Sequence, residues 1–383
     1  MKLREALANF RLDPMSMMEV VQARFDAWVN DVTGFGTQQD KTTHGAVAPS
    51  RRLSDIELSS LYHADDMAAR MVDIVPQEML REPFSVTTAD QSLDAALKTK
   101  QDDLSVREKL TDTIRWARLY GGAALLLGAD DGRDSTLPLI PERADALSYL
   151  YVIDRRLLWP TEYYIEPGHP KFGQPKVYSV MSVGGPASYV ANVHESRLVI
   201  FRGATTGIYE RAQWGSWDLS VLQRPYEILR QFNTGWKSVE IMLTDGNQAI
   251  FKMSGLRELI ASNSLDLLRK RLEVNELYRS VVRALVVDAE GDESFERQSV
   301  SFADIPATLE KFMLRLSAAV QIPATILMGQ SPAGMSATGD SDFRWFYDRI
   351  RSQQTTELEP RIRRIVDVML RTREFADARS RRS

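Results

Sequence analysis

The chain has 383 residues, 44% of them hydrophobic and 26% charged, and a formal net charge of −4 at pH 7. This is the composition of an ordinary globular protein, and the length allows two or three domains. Acidic residues outnumber lysine and arginine by 52 to 48, which argues against a protein whose main role is to grip nucleic-acid phosphates. The sequence contains no cysteine, which excludes disulfides, thiolate metal sites and cysteine nucleophiles.

The sequence gives no sign of membrane insertion or export. Its longest apolar runs, such as 123–127, fall far short of the ~20 residues that a bilayer-spanning helix needs. The first residues, MKLREALANFRLD, carry charges where a signal peptide has its apolar core. These features predict a soluble intracellular protein with no membrane partner.

The N-terminal part is predicted to be helical with one break. Apolar residues at helical spacing predict a helix over 15–30, and the Gly-, Thr- and Ser-containing stretch 31–50 predicts a weakly ordered segment. Ser54 and Glu57 have the spacing of a capping box, which predicts the start of another helix. The helix after that is expected to end at Pro76.

The middle of the chain, from about 84 to 210, alternates short apolar runs with Gly and Pro, which predicts an α+β body. One or two helices are expected over 94–121. Short strands are expected over 84–87, 123–128, 149–153, 163–165, 177–180 and 198–201.

Beyond Gly215 the pattern becomes mainly helical. The stretch RALVVDAEGDESFERQSVSF (283–302) departs from it, because a short apolar strand, an acidic Gly turn and an alternating strand predict a hairpin-like insertion. Apolar stripes predict helices over 219–243, 256–283, 307–321 and 339–373.

The last two predicted helices are separated by a stretch rich in Gly, Ser and Pro that begins at Pro323. This composition predicts a flexible loop. Thr338, Asp340 and Ser341 are predicted to cap the last helix. Pro360 is predicted to kink that helix near 357–360, because proline removes one intrahelical hydrogen bond.

Residue patterns for catalysis or metal binding are weak. Two Gly pairs, at 121–122 and 184–185, lack the spacing of a phosphate-binding loop and predict tight turns instead, and Ser331 has no nearby histidine. The sequence therefore predicts no catalytic residue, no metal ligand and no cofactor. The four histidines are scattered, with none paired at metal-ligand spacing: His44, His63, His169 and His194.

The C-terminal tract is the clearly basic part of the chain. A solvated helix face is the usual explanation of such a tract, and contact with DNA or with an acidic neighbouring subunit is the alternative. Both explanations stay open for the arginines concerned, which are Arg361, Arg363, Arg364, Arg371, Arg373, Arg379, Arg381 and Arg382.

The order of these elements resembles that of the portal proteins of tailed bacteriophages, and in particular the phage-associated portal family known as DUF1073. The stretches that carry the resemblance are spread over about 70–370, and the fifth is the most specific. They are RMVDIVPQEMLREPF, ARLYGGAALLLG, SRLVIFRG, WGSWDLSVLQRPYEILRQF, SVSFADIPATLEKFMLRLSAAVQIPATILMGQSPAGMSATGDSDFRWFYDRIRSQQ and LEPRIRRIVDVML.

The resemblance implies a mainly helical α+β portal fold in a ring, usually of twelve subunits, at one vertex of the capsid. A helical crown beyond the long helix is usual in the family and is expected to be missing or truncated here. The implied divisions are an N-terminal helix and flexible segment (1–53), an α/β wing (54–250), two stem helices (251–283 and 304–322), a small β-containing clip (284–303), a tunnel loop (323–340), a long kinked helix (341–375) and a basic tail (376–383).

A portal is the channel for genome packaging and ejection, so the resemblance implies a virion protein that assembles in the bacterial cytoplasm and is not an enzyme. Its implied partners are identical subunits, the major capsid protein, the terminase large subunit, the head–tail connector and passing double-stranded DNA. The tunnel-loop residues implied to touch DNA non-specifically are Gln330, Ser331, Met335, Ser336 and Thr338. The clip residues implied to dock terminase and the connector are Asp288, Glu290, Asp292, Glu293 and Glu296.

Two alternatives to a portal stay open. The first is a phage-encoded enzyme on an α+β scaffold, against which the weak catalytic patterns argue. The second is a monomeric or dimeric adaptor that binds its partners through the long helix. It differs from a portal in forming no ring.

Overall fold

The computed structural model describes residues 52–88, 90–182, 189–245, 247–252, 294–299, 305–329 and 336–380. The chain divides into two compact units, Met1–Leu53 and Ser54–Ser383, and the elements below belong to the second. Several predictions fall outside the described residues: the helices over 15–30 and 256–283, the weakly ordered segment over 31–50 and the Gly pair at 184–185.

Along the chain, helices precede and follow a central β region, which gives the mainly helical α+β fold that the sequence predicts. The helices are α1 (Asp55–Ala64), α2 (Asp66–Met79), α3 (Gln91–Asp103), α4 (Val106–Tyr120), α5 (Ile208–Gln213), α6 (Tyr226–Asp245), α7 (Ile305–Val320), α8 (Ala324–Met328), α9 (Ser336–Gln353), α10 (Glu359–Arg371) and α11 (Arg373–Ser380). The strands are β1 (Gly122–Ala129), β2 (Leu147–Asp154), β3 (Leu158–Tyr163), β4 (Pro175–Ser182), β5 (Tyr189–His194), β6 (Leu198–Arg202), β7 (Asn247–Lys252) and β8 (Ser294–Ser299).

Two three-stranded antiparallel sheets form the β region, in the orders β2–β1–β6 and β3–β4–β5. In the first sheet, Leu125 of β1 lies opposite Val152 of β2 and Val199 of β6. β1 is apolar and almost entirely buried because it is the central strand and α4 packs against it. One buried cluster contains side chains from both sheets together with Trp217, and it joins the sheets. Its other members are Ala124, Ile153, Leu158, Tyr178, Val180, Val193 and Leu198.

Most of the strand predictions are confirmed. Two of them differ from the structure, and one observed strand was not predicted. Residues 84–87 form no strand, and the strand predicted over 163–165 lies earlier, as β3, and ends at Tyr163. The sequence does not predict β5, because residues 189–192 are exposed on both faces and lack the alternation of a half-buried strand.

Ser54 and Glu57 form the predicted capping box at the start of α1. Ser54 Oγ accepts a hydrogen bond from the Glu57 amide at 3.3 Å, and Glu57 Oε2 accepts one from the Ser54 amide at 2.8 Å. Two backbone donors that would otherwise lack a helical partner are therefore satisfied locally.

Pro76 does not end α2, contrary to the sequence prediction, and the helix continues to Met79. A proline at this position has no N–H to donate to the carbonyl of Val72, four residues earlier. Arg118 of α4 replaces the missing donor, because its Nε donates to Val72 O at 3.0 Å and its Nη2 donates to Met71 O at 2.8 Å. The proline is accommodated by a side chain from a different helix.

Pro225 marks the start of α6, so the helix predicted over 219–243 begins later than expected. Residues 221–225 form turns instead. The physical reason is that proline favours the first turn of a helix and moves the residue before it out of the helical region. The carbonyl of Pro225 accepts from the Leu229 amide at 2.8 Å as the helix starts.

The helix predicted over 339–373 is interrupted close to the position of the predicted kink by a π-helical turn, Gln354–Leu358, between α9 and α10. Pro360 follows in the first turn of α10, where its missing N–H breaks the regular hydrogen-bond ladder. Gln354 Nε2 donates to Met79 O at 2.7 Å, which ties the irregular turn to the end of α2.

The chain turns from α4 into β1 at Gly121, which has a left-handed backbone with φ of 89°. Its amide donates to Ala117 O at 2.8 Å, and its carbonyl accepts from the amides of Gly203 and Asp218 at 3.1 and 3.2 Å. A Cβ at this position would lie 2.2 Å from Asp218 O. Both the backbone conformation and the close approach require glycine, so the Gly pair at 121–122 is a tight turn, as the sequence predicts.

His194 ends β5, and both of its ring nitrogens are used by the fold. Its Nδ1 accepts from the Ser196 amide at 3.1 Å, which caps the short 3-10 helix Glu195–Arg197, and its Nε2 lies 3.4 Å from the Tyr164 hydroxyl. Burial lowers the pKa of His194, although the negative charge of Glu195 opposes the shift. The neutral ring acts as a structural cap.

Replacing Gly121 by alanine is expected to lower the free energy of unfolding by several kcal/mol. About 1–2 kcal/mol comes from the left-handed backbone, and the overlap with Asp218 O adds to it. Urea unfolding followed by circular dichroism measures the change. Gly168→Ala is the control, because no atom lies within 4 Å of a Cβ added there, and its effect should stay within about 0.5 kcal/mol. Equal effects of the two changes would contradict a special requirement at Gly121.

Thermal stability is expected to fall as the pH is lowered from 7 to 5, with His194 as one cause. Because the pKa of His194 is lower in the folded state, the unfolded state binds more protons. The contribution of His194 to the free energy of unfolding is therefore complete above the unfolded-state pKa of about 6.5. It declines as the pH falls towards the folded-state pKa. Melting temperatures at several pH values should show a flatter profile for His194→Asn than for the wild type. His63→Asn, at an exposed site, should leave the profile unchanged, and the same flattening in both variants would contradict this origin.

Candidate functional site

Parts of the loop predicted over 323–340 are helical in the structure. Residues Ala324–Met328 form α8, which ends at Gly329 with φ of 70°, and α9 begins at Ser336. Ser336 and Thr338 therefore lie in the first turn of α9, and the predicted cap of Thr338, Asp340 and Ser341 is wrong because the helix begins before them. The predicted loop residues Gln330, Ser331 and Met335 lie outside the described residues.

The chain that leads into this loop is held by two arginines from other helices. Arg70 of α2 donates through Nη2 to Ile326 O at 2.8 Å, and Arg349 of α9 donates through Nη1 to Gln321 O at 2.8 Å. Both acceptors are carbonyls near helix ends, where intrahelical donors run out. Leu327 and Ile322 are buried beside them. The loop therefore starts from a fixed base.

No sequence signal identified the two anchoring arginines. Arg70 and Arg349 lie on amphipathic helices, at positions where a solvated charge is the usual expectation. Burial lowers the pKa of Arg349, which shows that its environment is not that of a solvated surface residue. The roles of Arg70 and Arg349 depend on which carbonyl each guanidinium donates to. That partner is set by how separate helices pack.

Helix α9 buries two apolar side chains and leaves aromatic side chains exposed on two sides. Phe346 and Ile350 are buried, whereas Trp345 is 53% exposed and Tyr347 is 38% exposed. Residues two apart lie about 200° apart around a helix, so these two exposed rings lie on opposite sides. Arg81 lies over the Tyr347 ring, 5.6 Å from its centroid, a weakly favourable contact. Exposed aromatic side chains of this kind are available for packing against another protein surface.

Helices α6 and α7 pack against each other, with β7 and β8 connected between them in sequence. Arg315 of α7 donates through Nη1 to Gln231 Oε1 of α6 at 3.0 Å. The ring of Phe312 lies beside Gly235, 3.6 Å from where a Cβ would stand. Four large apolar side chains on this helix pair are about half exposed: Trp236, Ile241, Met242 and Leu314.

Strands β7 and β8 form an antiparallel pair in which Lys252 lies opposite Ser294. The two residues that flank segment 253–293, Lys252 and Ser294, therefore lie next to each other. The returning strand of the predicted insertion is confirmed as β8, which pairs with β7, and Glu296 lies opposite Ile250 in the register. The expected partner strand within 283–287 lies outside the described residues, as do Asp288, Glu290, Asp292 and Glu293.

Some arginines of α10 donate hydrogen bonds to main-chain carbonyls of other elements, and others lie at the surface. Arg361 donates through Nε to Ile200 O at 2.8 Å and lies over the Phe201 ring, and burial lowers its pKa. Arg364 donates through Nη2 to Glu195 O and Ser196 O at 3.2 and 2.8 Å. For these two arginines, the solvated-face explanation is wrong.

The remaining described arginines of the basic tract form ion pairs nearer the surface. Arg363 pairs with Glu359 at 2.6 Å, in the i,i+4 arrangement along α10. Arg373 pairs with Asp145 at 2.9 Å, and Arg371 also pairs with Glu142. Such exposed pairs contribute little individually. The side chain of Arg379 lies outside the described part, as do Arg381 and Arg382.

The described residues contain neither a metal-binding cluster nor a membrane-spanning helix. Within these ranges, no group of His, Asp and Glu side chains is arranged to hold a metal ion. In the same part of the chain, no helix is both long and apolar enough to cross a membrane.

Curated proteins from several bacteria are similar to this chain. A protein of Caulobacter sp. (strain RHG1) named "Anti-CBASS protein Acb1" is 32% identical over 359 residues, which cover 89% of this chain and 56% of that protein. A protein of the same name from Sphingomonas paeninsulae is 30% identical, covering 94% and 58%. The chain thus spans a little over half the length of these two relatives. An uncharacterized protein of Haemophilus influenzae is 27% identical, covering 88% and 74%.

Solved structures from gene transfer agent (GTA) particles are also similar. A chain from "Neck of empty GTA particle computed with C6 symmetry" matches with 12% identity and a TM-score of 0.44, covering 77% of each chain. A chain from "Virion of native gene transfer agent (GTA) particle" matches with 12% identity and a TM-score of 0.42, covering 73% of this chain and 71% of the other.

A family model described as "Phage portal protein" matches residues 56–380. This match includes α8 with its anchoring residues Arg70 and Arg349, and it includes the strand pair β7–β8. It spans well over half of the chain, which therefore belongs to the phage portal protein family.

Proposed function

We propose that this chain is the subunit of a portal ring at one vertex of a tailed-phage or prophage capsid. In this role it surrounds the channel through which double-stranded DNA enters during packaging and leaves at ejection. The observation that carries the proposal is the match of the phage portal protein model to residues 56–380. The net charge of −4 supports it, because DNA sliding through a channel is served by weak attraction rather than tight phosphate binding.

In this proposal the stem consists of α6 and α7. α7 corresponds to the second stem helix that the resemblance implies (304–322), and α6 takes the place of the first (251–283). The packing of α6 against α7 supports the change, as does the pairing of β7 with β8 at the end of this helix pair. The clip then occupies the segment between the two helices. Its acidic residues, which are proposed to dock terminase and later the connector, are Asp288, Glu290, Asp292, Glu293 and Glu296.

The tunnel loop in this proposal is the short segment between Gly329 and Ser336. Gln330, Ser331 and Met335 would project towards the channel and touch DNA without reading its sequence, and Thr338 would stand at the margin in α9. The anchors from Arg70 and Arg349 support this assignment, because they hold the start of the loop against the body while the loop itself meets a moving duplex.

Neighbouring subunits are proposed to meet through the exposed apolar side chains of α6, α7 and α9. A closed head-to-tail ring buries two different surfaces of each subunit. The α6–α7 surface (Trp236, Ile241, Met242 and Leu314) and the α9 surface (Phe343 and Tyr347, four residues apart on one face) are the two candidates. Twelve subunits are proposed from the family resemblance, with the major capsid protein, terminase large subunit and connector as further partners.

A structural role without catalysis is proposed in preference to the anti-CBASS activity that the names of two relatives suggest. Those names refer to whole proteins, of which this chain covers 56% and 58%. The portal model covers most of the chain that is shared with them. We therefore propose that the shared part is the portal part and that the activity in the name belongs to the longer proteins.

Introducing Trp236→Glu together with Leu314→Glu is expected to prevent ring assembly while the subunit stays folded. Both side chains are about half exposed in the subunit, so the cost of a charge arises only when an interface buries it. Native mass spectrometry and negative-stain imaging measure the assembly. Ile208→Glu, at an 86% exposed position on α5, is the matched control and should assemble normally.

Two results would contradict the ring proposal or its surfaces. A wild-type chain that stays monomeric or dimeric under all assembly conditions would overturn the ring. A double variant that assembles as well as the wild type would overturn the assignment of the α6–α7 surface.

Replacing residues 330–335 by a shorter Gly-Ser linker is expected to leave ring assembly intact and to impair DNA packaging or retention. The change stays clear of α8 and α9, which hold the base of the loop. Ring formation is measured by imaging, and packaging by nuclease-protected DNA per particle. A replacement of the same length separates the effect of loop length from that of side chains. Loss of rings would show instead that the loop is a packing element.

A further inference from the structure

A pocket of about 270 Å³ lies among α4, the end of β6, and the junction of α9 with the π-helical turn. Val75, Ile114 and Phe201 contribute apolar walls. The charged residues that line it are Arg118, Arg202, Arg224, Arg349 and Glu357. Four guanidinium groups thus face one carboxylate, and the pocket has an excess of positive charge.

Main-chain carbonyls position these guanidinium groups and leave their charge in place. Arg118 donates to Met71 O and Val72 O, and Arg349 donates to Gln321 O at 2.8 Å. Arg202 donates to Ser216 O at 3.3 Å, and Arg224 donates to Thr205 O at 3.2 Å. A guanidinium carries five N–H groups, so each arginine keeps donors that these carbonyls do not use.

The electrostatics of the pocket favour an added anion. Burial, reinforced by the nearby charge of Arg349 and opposed by that of Glu357, lowers the pKa of Arg118 to about 10. Arg118 is still charged at neutral pH, in surroundings that penalise its charge. A bound anion would offset both the burial and the repulsion between the two arginines.

One uncharged side chain in the wall also has an unused polar atom within the part of the chain that the structure describes. Gln353 lines the pocket, and its Oε1 is buried with no hydrogen-bond partner among the described residues. A buried amide oxygen without a partner is costly, and a side-chain amide can present either its oxygen or its nitrogen by rotation. Gln353 precedes the π-helical turn Gln354–Leu358, a kind of helix irregularity that often occurs at functional sites.

We propose that this pocket binds a phosphate-class oxyanion. Planar guanidinium groups match the oxygens of phosphate and donate to them in pairs. Gln353 would supply a further hydrogen bond, to a P–OH group through its oxygen or to a P–O⁻ group through its nitrogen. The site shares Arg349 with the anchors of the proposed tunnel loop but contains no residue of that loop, and it does not rest on ring formation. Its phosphate could come from free phosphate or from the DNA backbone, and the two sources are experimentally separable.

The test is thermal unfolding of the full chain in inorganic phosphate and in chloride at equal ionic strength and pH. Phosphate at about ten times its Kd is expected to raise the Tm by a few degrees. Arg202→Gln and Arg224→Gln should each weaken phosphate binding about tenfold or more, measured by calorimetric titration. Arg143→Gln changes an exposed arginine that does not line the pocket and should bind phosphate as the wild type does.

The chloride measurements check that each variant folds, and Arg118 and Arg349 are left unchanged because they hold other parts of the fold. Absence of a phosphate effect in the wild type would overturn the proposal, and so would equal effects in all the variants. A short DNA duplex provides the second arm. Saturable, Arg202-dependent stabilisation by the duplex would identify backbone phosphate as the source, and its absence alongside a phosphate effect would identify free phosphate.

Discussion

Hydrogen bonds from arginine to main-chain carbonyls are the interactions on which the described fold depends. Arg118 supplies the donors that Pro76 cannot, Arg361 and Arg364 hold α10 against the sheets, and Arg155 reaches the carbonyl of Tyr120. Each acceptor lies at a proline, a strand or the end of a helix, where backbone donors run out. A hydrogen bond to a charged group contributes about 1.5–3 kcal/mol, so a few such contacts are large beside the net stability of a domain.

Arginine side chains also hold the described residues beside the proposed tunnel loop and clip. Arg70 and Arg349 donate to main-chain carbonyls before the proposed loop. Arg315 donates instead to a side-chain oxygen, Gln231 Oε1, and links α6 to α7. Both segments therefore start from bases formed by packed helices.

The elements that could be predicted from sequence depend on neighbours along the chain. The capping box of Ser54 and Glu57 and the interruption before Pro360 involve residues a few positions apart, and β1 is marked by its continuous apolar run. The continuation of α2 past Pro76 and the early start of α9 were not predictable, because each is decided by contacts or turns outside the local pattern. Of the candidate site, sequence reasoning found the region of the loop and missed its anchors.

The amino-acid sequence by itself determined the fold class, most of the strands and the family, because these depend on hydrophobic period, local capping and long matched stretches. Only the tertiary structure decided which charges are internal and which helices form a pair. Arg361 and Arg363 lie two positions apart in one basic tract, yet the first meets a strand carbonyl and the second an exposed glutamate. The physical reason is that a side chain's role depends on what its helix packs against, and the period of one helix does not contain that information.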